Sequence, residues 1–203
     1  MIRPWAALPI RHAFAGAALA SLLACTTATP TETPGVDRLG ATAVRYRGPQ
    51  IEAVVSYRAA TLGLGDDWLF LDVAVTGSGR DSVEVNRDKV AVQLPSGEVV
   101  PLASQHEFGE AYPQLAAVIE RANIAAEPLD YWAGRRDASL AFLTAPGEGL
   151  AMTSEWVNDQ VVYQGRLYFF LPAGVQPGRY QLRIDLTESK VRIPFRLGTG
   201  QGS

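Results

Sequence analysis

His106, with Ser104 two residues before it and Glu107 directly after, is the first place in this chain to look for chemistry. A serine hydrolase needs a hydroxyl nucleophile, an imidazole base and a carboxylate that orients the base. Imidazole is also the side chain whose ordinary pKa lies near neutrality. The chain has two histidines, and the other, His12, sits beside an apolar N-terminal run. No Gly-x-Ser-x-Gly turn accompanies any serine. Triads are assembled in space, so a hydrolase using His106 or a carboxylate pair stands as an alternative function. A lone loop histidine is otherwise expected to be a surface or structural residue.

Metal chemistry has little to draw on. One histidine beyond the N-terminal run and a single cysteine cannot build a His/Cys zinc site. Met152 is the only methionine besides Met1, which removes a Met/His copper site. Asp66-Asp67 follows Gly63-Leu64-Gly65 and could offer oxygens to Ca²⁺, but the acids do not alternate as in an EF-hand loop, so a polar loop tip is expected. The same glycines open no helix and so do not make a phosphate loop. No metal and no cofactor are expected.

What remains is aromatic. Phe108, Tyr112, Tyr131, Trp132, Trp156 and Tyr163 lie in or beside the irregular stretch between Ala103 and Gln164, with Arg135 and Arg136 among them. Large amphipathic side chains on loops make protein- and glycan-binding faces. Phe108, Tyr112, Tyr131, Trp132, Arg135, Arg136 and Trp156 are therefore the candidate binding residues. Tryptophan is buried on average, so Trp132 and Trp156 are also expected to roof a core beneath long loops.

Cys25 has a different chemistry. Arg3, Arg11 and His12 precede a short apolar run from Ala13, which closes on Leu22-Leu23-Ala24-Cys25. A basic start, a short apolar middle and a small residue at the break make an export signal. The run is about a dozen residues, against the ~20 of a spanning helix. The tetrapeptide resembles the lipobox of bacterial lipoproteins. That resemblance implies cleavage before Cys25, lipidation of Cys25, and, with Thr26 in place of an aspartate, sorting to the outer membrane, with the domain in the periplasm. The partners expected are then the membrane, through the lipid, and an unidentified protein or envelope glycan.

Composition agrees with an exported domain. Loss of residues 1–24 from 203 leaves 179, enough for one domain with a substantial core. The lost segment holds two of the 18 basic residues and none of the 21 acidic ones, so 16 oppose 21, a net of −5. That balance argues against a nucleic-acid partner and against a polybasic grip on anionic lipid. With Cys25 committed to lipid no disulfide can form, so stability must come from burial.

The elements that must position these residues are mostly strands. Residues 25–40 (from Thr26, TTATPTETPGVDRLG) are too poor in apolar side chains to make a core and read as a flexible tether. From 41 to 198 the pattern has period two. Val44 and Tyr46, then Ile51 to Tyr57, make opening strands around Gly48-Pro49. Leu69, Leu71, Val73 and Val75 oppose Trp68, Phe70, Asp72 and Thr76. Val83 and Val85 follow, then Val90, Val92 and Leu94 turn at Pro95-Ser96-Gly97 into Val99, Val100 and Leu102. Leu167, Phe169 and Leu171 alternate with Tyr168 and Phe170 in a strand covered on both faces. Tyr180 to Leu186 and Val191 to Leu197 form the last hairpin, with Pro194 placing its second strand at an edge. Leu115, Val118, Ile119 and Ala122 have helical spacing, which predicts one helix over about 112–123, starting at Pro113 and closing one end of a sandwich. Residues 199–203 read as a disordered tail.

These patterns predict a mainly β, antiparallel β-sandwich with one short inserted helix. The stretch from Trp68 to Leu102 resembles the immunoglobulin-like domains that recur in bacterial lipoproteins. The function expected is non-catalytic binding at the envelope through the loop-rich end formed by 103–137 and 152–160. The alternatives are the hydrolase above and a structural accessory of an envelope or secretion assembly.

Overall fold

The computed structural model describes residues 33–198; the signal segment 1–24, Cys25, the first part of the tether and the tail 199–203 lie outside the described residues. In chain order the elements are β1 (Val36–Arg38), β2 (Ala43–Arg47), β3 (Ile51–Ser56), a single helical turn α1 (Arg58–Thr61), β4 (Trp68–Gly77), β5 (Val83–Asn86), β6 (Val90–Gln93), β7 (Val99–Pro101), the long helix α2 (Gln105–Ala125), β8 (Arg136–Ser139), β9 (Ser154–Val157), β10 (Val161–Phe170), β11 (Gly178–Asp185) and β12 (Lys190–Leu197). Among the described residues the fold is mainly β, with α2 as the one long helix.

Two sheets form the sandwich. One has the order β1-β2-β3-β4-β10-β8, the other β12-β11-β6-β7, and β5 and β9 make a separate two-stranded ribbon. All the pairings are antiparallel except β8 with β10. The alternation in sequence explains the core. Ile51, Val55, Leu69, Leu71, Leu167 and Phe169 from the first sheet meet Val92, Leu182, Ile184, Ile193 and Phe195 from the second. Each buried aliphatic or aromatic side chain contributes roughly 1.5–3 kcal/mol by leaving water. β12 lies at an edge, as Pro194 requires, because a central strand needs every N–H for its ladder. The ribbon closes one side: Val83, Val85 and Val157 join the core, while Glu84 and Trp156 face the other way.

Three expectations need correction. The sheet begins inside the segment read as a tether, because Val36–Arg38 pairs with β2 and Val36 packs against the core. The helix covers Gln105–Ala125, not 112–123. Ser104 and Glu107 form a reciprocal capping box that starts it about two turns before Pro113, which lies exposed in the helix interior. Finally, α2 does not close an end of the sandwich. Its Phe108, Leu115, Ile119 and Ala122 lie on Trp68, Phe70 and Tyr168, on the outer face of the six-stranded sheet. The segment after it sets Leu129 and Trp132 on Val54, Ala74 and Val162 of the same face. Helix and return segment thus form a third layer, and β4 is buried on both sides.

Candidate functional site

The geometry around His106 is that of a helix surface. His106 is in the first turn of α2, its side chain is 81% exposed, and Nε2 lies 3.5 Å from Glu110 one turn along. Ser104 is the helix N-cap: its hydroxyl oxygen accepts from the Glu107 N–H (3.1 Å), and the Glu107 carboxylate accepts from the Ser104 N–H (2.8 Å). These bonds hold the Glu107 carboxyl below its usual pKa, first through the Ser104 backbone and then through its side chain. The three residues are neighbours in sequence and do not converge on a cleft.

Asp66 and Asp67 are exposed in the loop between α1 and β4. Their carbonyls accept the Val175 and Leu171 N–H groups, so this loop holds the turn before β11. A shallow cleft of about 200 Å³ lies there, lined by Thr61, Leu64, Asp66, Gln176, Pro177 and Leu197. Among the described residues no group of three or more His, Cys, Asp or Glu side chains is placed to hold a metal ion.

The aromatic candidates divide among three places and do not form one face. Phe108 is buried beneath α2 against Tyr168 (rings 4.6 Å apart), with half-buried Tyr112 at its edge. Trp132 is half-buried on the outer face of the six-stranded sheet, and its indole N–H donates to Glu52 (3.1 Å). Tyr131, 38% exposed, and Trp132 both stack on the Arg45 guanidinium, at 5.2 and 5.8 Å. Arg135 is a clamp: Nη1 donates to the Thr76 hydroxyl (2.6 Å) and the Gly77 carbonyl (3.3 Å). Arg136 lies exposed on the edge strand β8.

Trp156 is the exception. It lies on a strand, not a loop, and is 59% exposed, so the expectation that it roofs the core is wrong. The reason is register: in β9 Val157 takes the core-facing position, and its neighbour must point out. Trp132 does roof the sheet, on the outer face rather than over the sandwich core.

Two polar clusters were missed in the sequence because their members are far apart in the chain. Glu127, just past α2, accepts from Thr42 (2.7 Å), Arg58 (3.0 Å) and Ser56 (3.3 Å), and the Thr42 bond foremost keeps its carboxyl below the usual range. Arg166 and Asp72 pair at 2.6 Å with side chains only 9% and 12% exposed, and Arg166 also donates to Asn123 of α2 (2.9 Å). Both clusters tie the third layer to the sheet. The only sequence signal was that Asp72 and Arg166 stand on the non-core side of apolar strands.

Architecture and surface together define a three-layer β-sandwich with one exposed aromatic ribbon. No family model matches the chain, and no curated protein matches it. Among solved structures it is similar to the crystal structure of ycdA, a candidate lipoprotein of Bacillus subtilis. The identity is 15%, the match covers 75% of this chain and 38% of that one, and the TM-score is 0.37. The chain thus spans well under half of that protein, and a likeness of this degree carries no argument about function.

Proposed function

We propose that this protein is a lipoprotein of the bacterial cell envelope, held to the membrane through Cys25, and that it works by binding a partner without catalysing a reaction. Trp156 carries the binding part of this reading. An indole left 59% exposed on a regular strand forgoes the burial that tryptophan normally gains. Leu150 (86% exposed) and Met152 (45%) precede it on the same short segment. An exposed indole with further exposed apolar side chains near it in the chain is what a binding surface offers a partner. The sandwich serves, as in immunoglobulin-like domains, as the rigid frame for that surface.

The lipid anchor, the outer-membrane destination and the periplasmic setting rest on Leu22-Leu23-Ala24-Cys25 and Thr26. The partner is a protein or an envelope glycan. Against the hydrolase stand the exposed His106, whose near carboxylate is Glu110, and the engagement of Ser104 as a helix cap.

The test compares two variants in intact envelopes by crosslinking and by phenotype. Trp156→Ala is expected to lose the crosslinked partner and the phenotype while its unfolding free energy stays within about 0.5 kcal/mol of the parent, as for a surface substitution. His106→Ala is expected to keep both. A His106→Ala protein that is folded, localised and inactive would overturn the binding reading in favour of the hydrolase.

A further inference from the structure

The strands that end the sheets are not protected alike. β1 carries Asp37 and Arg38, β8 carries Arg136 and Asp137, β7 ends in Pro101, and β12 holds Pro194 between Arg192 and Arg196. Charge and proline on an edge discourage a further strand from pairing there. The ribbon strands β5 (Val-Glu-Val-Asn) and β9 (Ser-Glu-Trp-Val) have no lysine, arginine or proline and a single charge each, Glu84 and Glu155, both negative, and of the two β9 adds an exposed aromatic.

Register shows which backbone groups β9 leaves open. The Arg87 N–H donates to the Thr153 carbonyl at 2.8 Å, extending the β5–β9 ladder by one pair. In an antiparallel ladder the pairs that exchange hydrogen bonds alternate with pairs whose N–H and C=O groups point outward. Val85/Glu155 and Val83/Val157 are therefore bonded pairs, and the backbone groups of Ser154 and Trp156 point away from β5. Among the described residues they find no backbone hydrogen-bond partner. On the same edge the Met152 N–H is taken by the Ala141 carbonyl (2.7 Å), so the open stretch runs from Ser154 to Trp156.

The charges around this edge select its occupant. From Gly147 to Asp159 the chain holds Glu148, Glu155 and Asp159 and no basic residue, and Glu84 faces Trp156 across the ribbon. The nearest cation on the Glu155 face, Arg87 opposite Thr153, is turned to the Phe142 carbonyl and Asp88. Glu155 lies on the core-facing side with Val85, where burial raises its pKa. A second copy pairing antiparallel about this point would bring Glu155 against Glu155, which like charge opposes. A strand with a cation at that position would relieve it.

We infer that the β9 edge accepts an extended peptide segment of a partner protein as an added strand, with a lysine or arginine beside Glu155 and apolar residues flanking it beside Trp156 and Ser154. Main-chain bonds would supply affinity, and Glu155 and Trp156 the choice of sequence. This rests on the reading that the Trp156 surface binds, and it narrows the partner to protein.

The experiment uses the ¹⁵N-labelled full-length protein in detergent micelles and two blocked peptides, Thr-Val-Lys-Val-Thr and Thr-Val-Glu-Val-Thr, followed by amide shifts and hydrogen exchange. The lysine peptide is expected to bind about tenfold more tightly than the glutamate peptide and to slow exchange at Ser154 and Trp156 by about tenfold, as charge selection and new main-chain bonds require. Glu155→Gln should reduce the preference to about threefold or less. Ser154→Pro removes an outward N–H and spares the β5 ladder, so it should abolish binding with its thermal transition retained. If that variant does not fold, Glu155→Gln decides. Equal or absent binding of the two peptides, or protection elsewhere than β9, overturns the inference. If the peptides fail but Trp156→Ala still loses its crosslink in envelopes, the edge inference falls and the binding reading stands.

Discussion

Arg166 shows most clearly how single residues hold the third layer in place. Its guanidinium is nearly buried, bonded to Asp72 on β4 and to Asn123 on α2. Removing one member of a buried ion pair leaves the other charge without compensation, which typically costs about 3–5 kcal/mol. Arg166→Ala is thus expected to lower the unfolding free energy by about that much in chemical denaturation. A loss under about 1 kcal/mol, the range of a solvated surface pair, would show that water reaches Asp72 freely. Glu127 acts at the same scale with a pH signature. Its folded pKa is depressed, so the ionised form is bound preferentially by the native state. Its contribution is complete above the unfolded carboxylate range near pH 4–5 and disappears as pH falls through the lower folded value. Glu107 and Asp185, the latter held by Arg192 above all, act in the same direction. Glu155, whose pKa burial raises, acts the opposite way and gains stability as it takes up its proton, but three depressed carboxylates outnumber it. The melting temperature should therefore fall on acidification below about pH 5, and Glu127→Gln should make that fall smaller. An unchanged slope in Glu127→Gln would remove Glu127 from the account.

At the scale of elements, α2 is long for its apolar stripe and contains a proline. Pro113 cannot donate to the carbonyl four residues before it and crowds that turn. Gly109 occupies that position and adds no side chain to the crowding. Continuation through Pro113 depends on the first turn, fixed by the Ser104–Glu107 box, and on Phe108, which anchors it to Tyr168. Ser104→Ala removes one side of the box and should cost about 1 kcal/mol. Amide exchange should rise first in residues 105–112, ahead of Leu115–Ala122. Uniform exchange along the helix would mean that the cap is not what starts it. The ribbon is the converse case. β5 and β9 are four residues each and keep their place because Val83, Val85 and Val157 fill the sandwich core.

For the whole molecule, the chain enters and leaves at opposite ends of the sandwich. The Gly35 carbonyl accepts from the Arg47 N–H beside the Gly48-Pro49 turn. Ser78 bonds that turn, Gly77 bonds Asn158, and Ser189 bonds Gln50, which gathers four turns at the entry end. Leu197 lies with the cleft near Asp66 and Gln176 at the other. Ten residue-to-residue steps lead from Cys25 to Gly35 and can span at most about 36 Å. The proposed lipid anchor would therefore hold the entry end within that reach of the bilayer. Mass spectrometry of the mature N-terminus checks the premise: residues 1–24 should be absent and Cys25 should carry acyl chains. An intact signal or a bare thiol would remove both anchor and orientation.

Sequence alone determined the strands from Ala43 to Val100 and from Leu167 to Leu197, because a strand with one face in the core must alternate. The first half of β10, Val161–Arg166, it left in the irregular middle, where Gln164, Gly165 and Arg166 blur the apolar period. It also determined the edge position of β12, because a proline cannot serve two neighbours. The start of α2 was legible too, in Ser104 and Glu107, but Pro113 looked like the better first turn. β8 (Arg-Asp-Ala-Ser) and β9 (Ser-Glu-Trp-Val) could not be read, since four residues with one or two apolar side chains carry no period. Tertiary structure alone decided that α2 lies on a sheet face, because a narrow apolar stripe fits an end or a face equally well. It alone decided that Glu127 meets Thr42 and Arg166 meets Asp72, since a side chain's partner across 85 or 94 residues follows from packing and not from local pattern. And it alone decided that Trp132 is covered while Trp156 is left in water. Residue type gives both the same tendency toward burial, and only the register of β9, set by Val157 in the core, turns Trp156 outward.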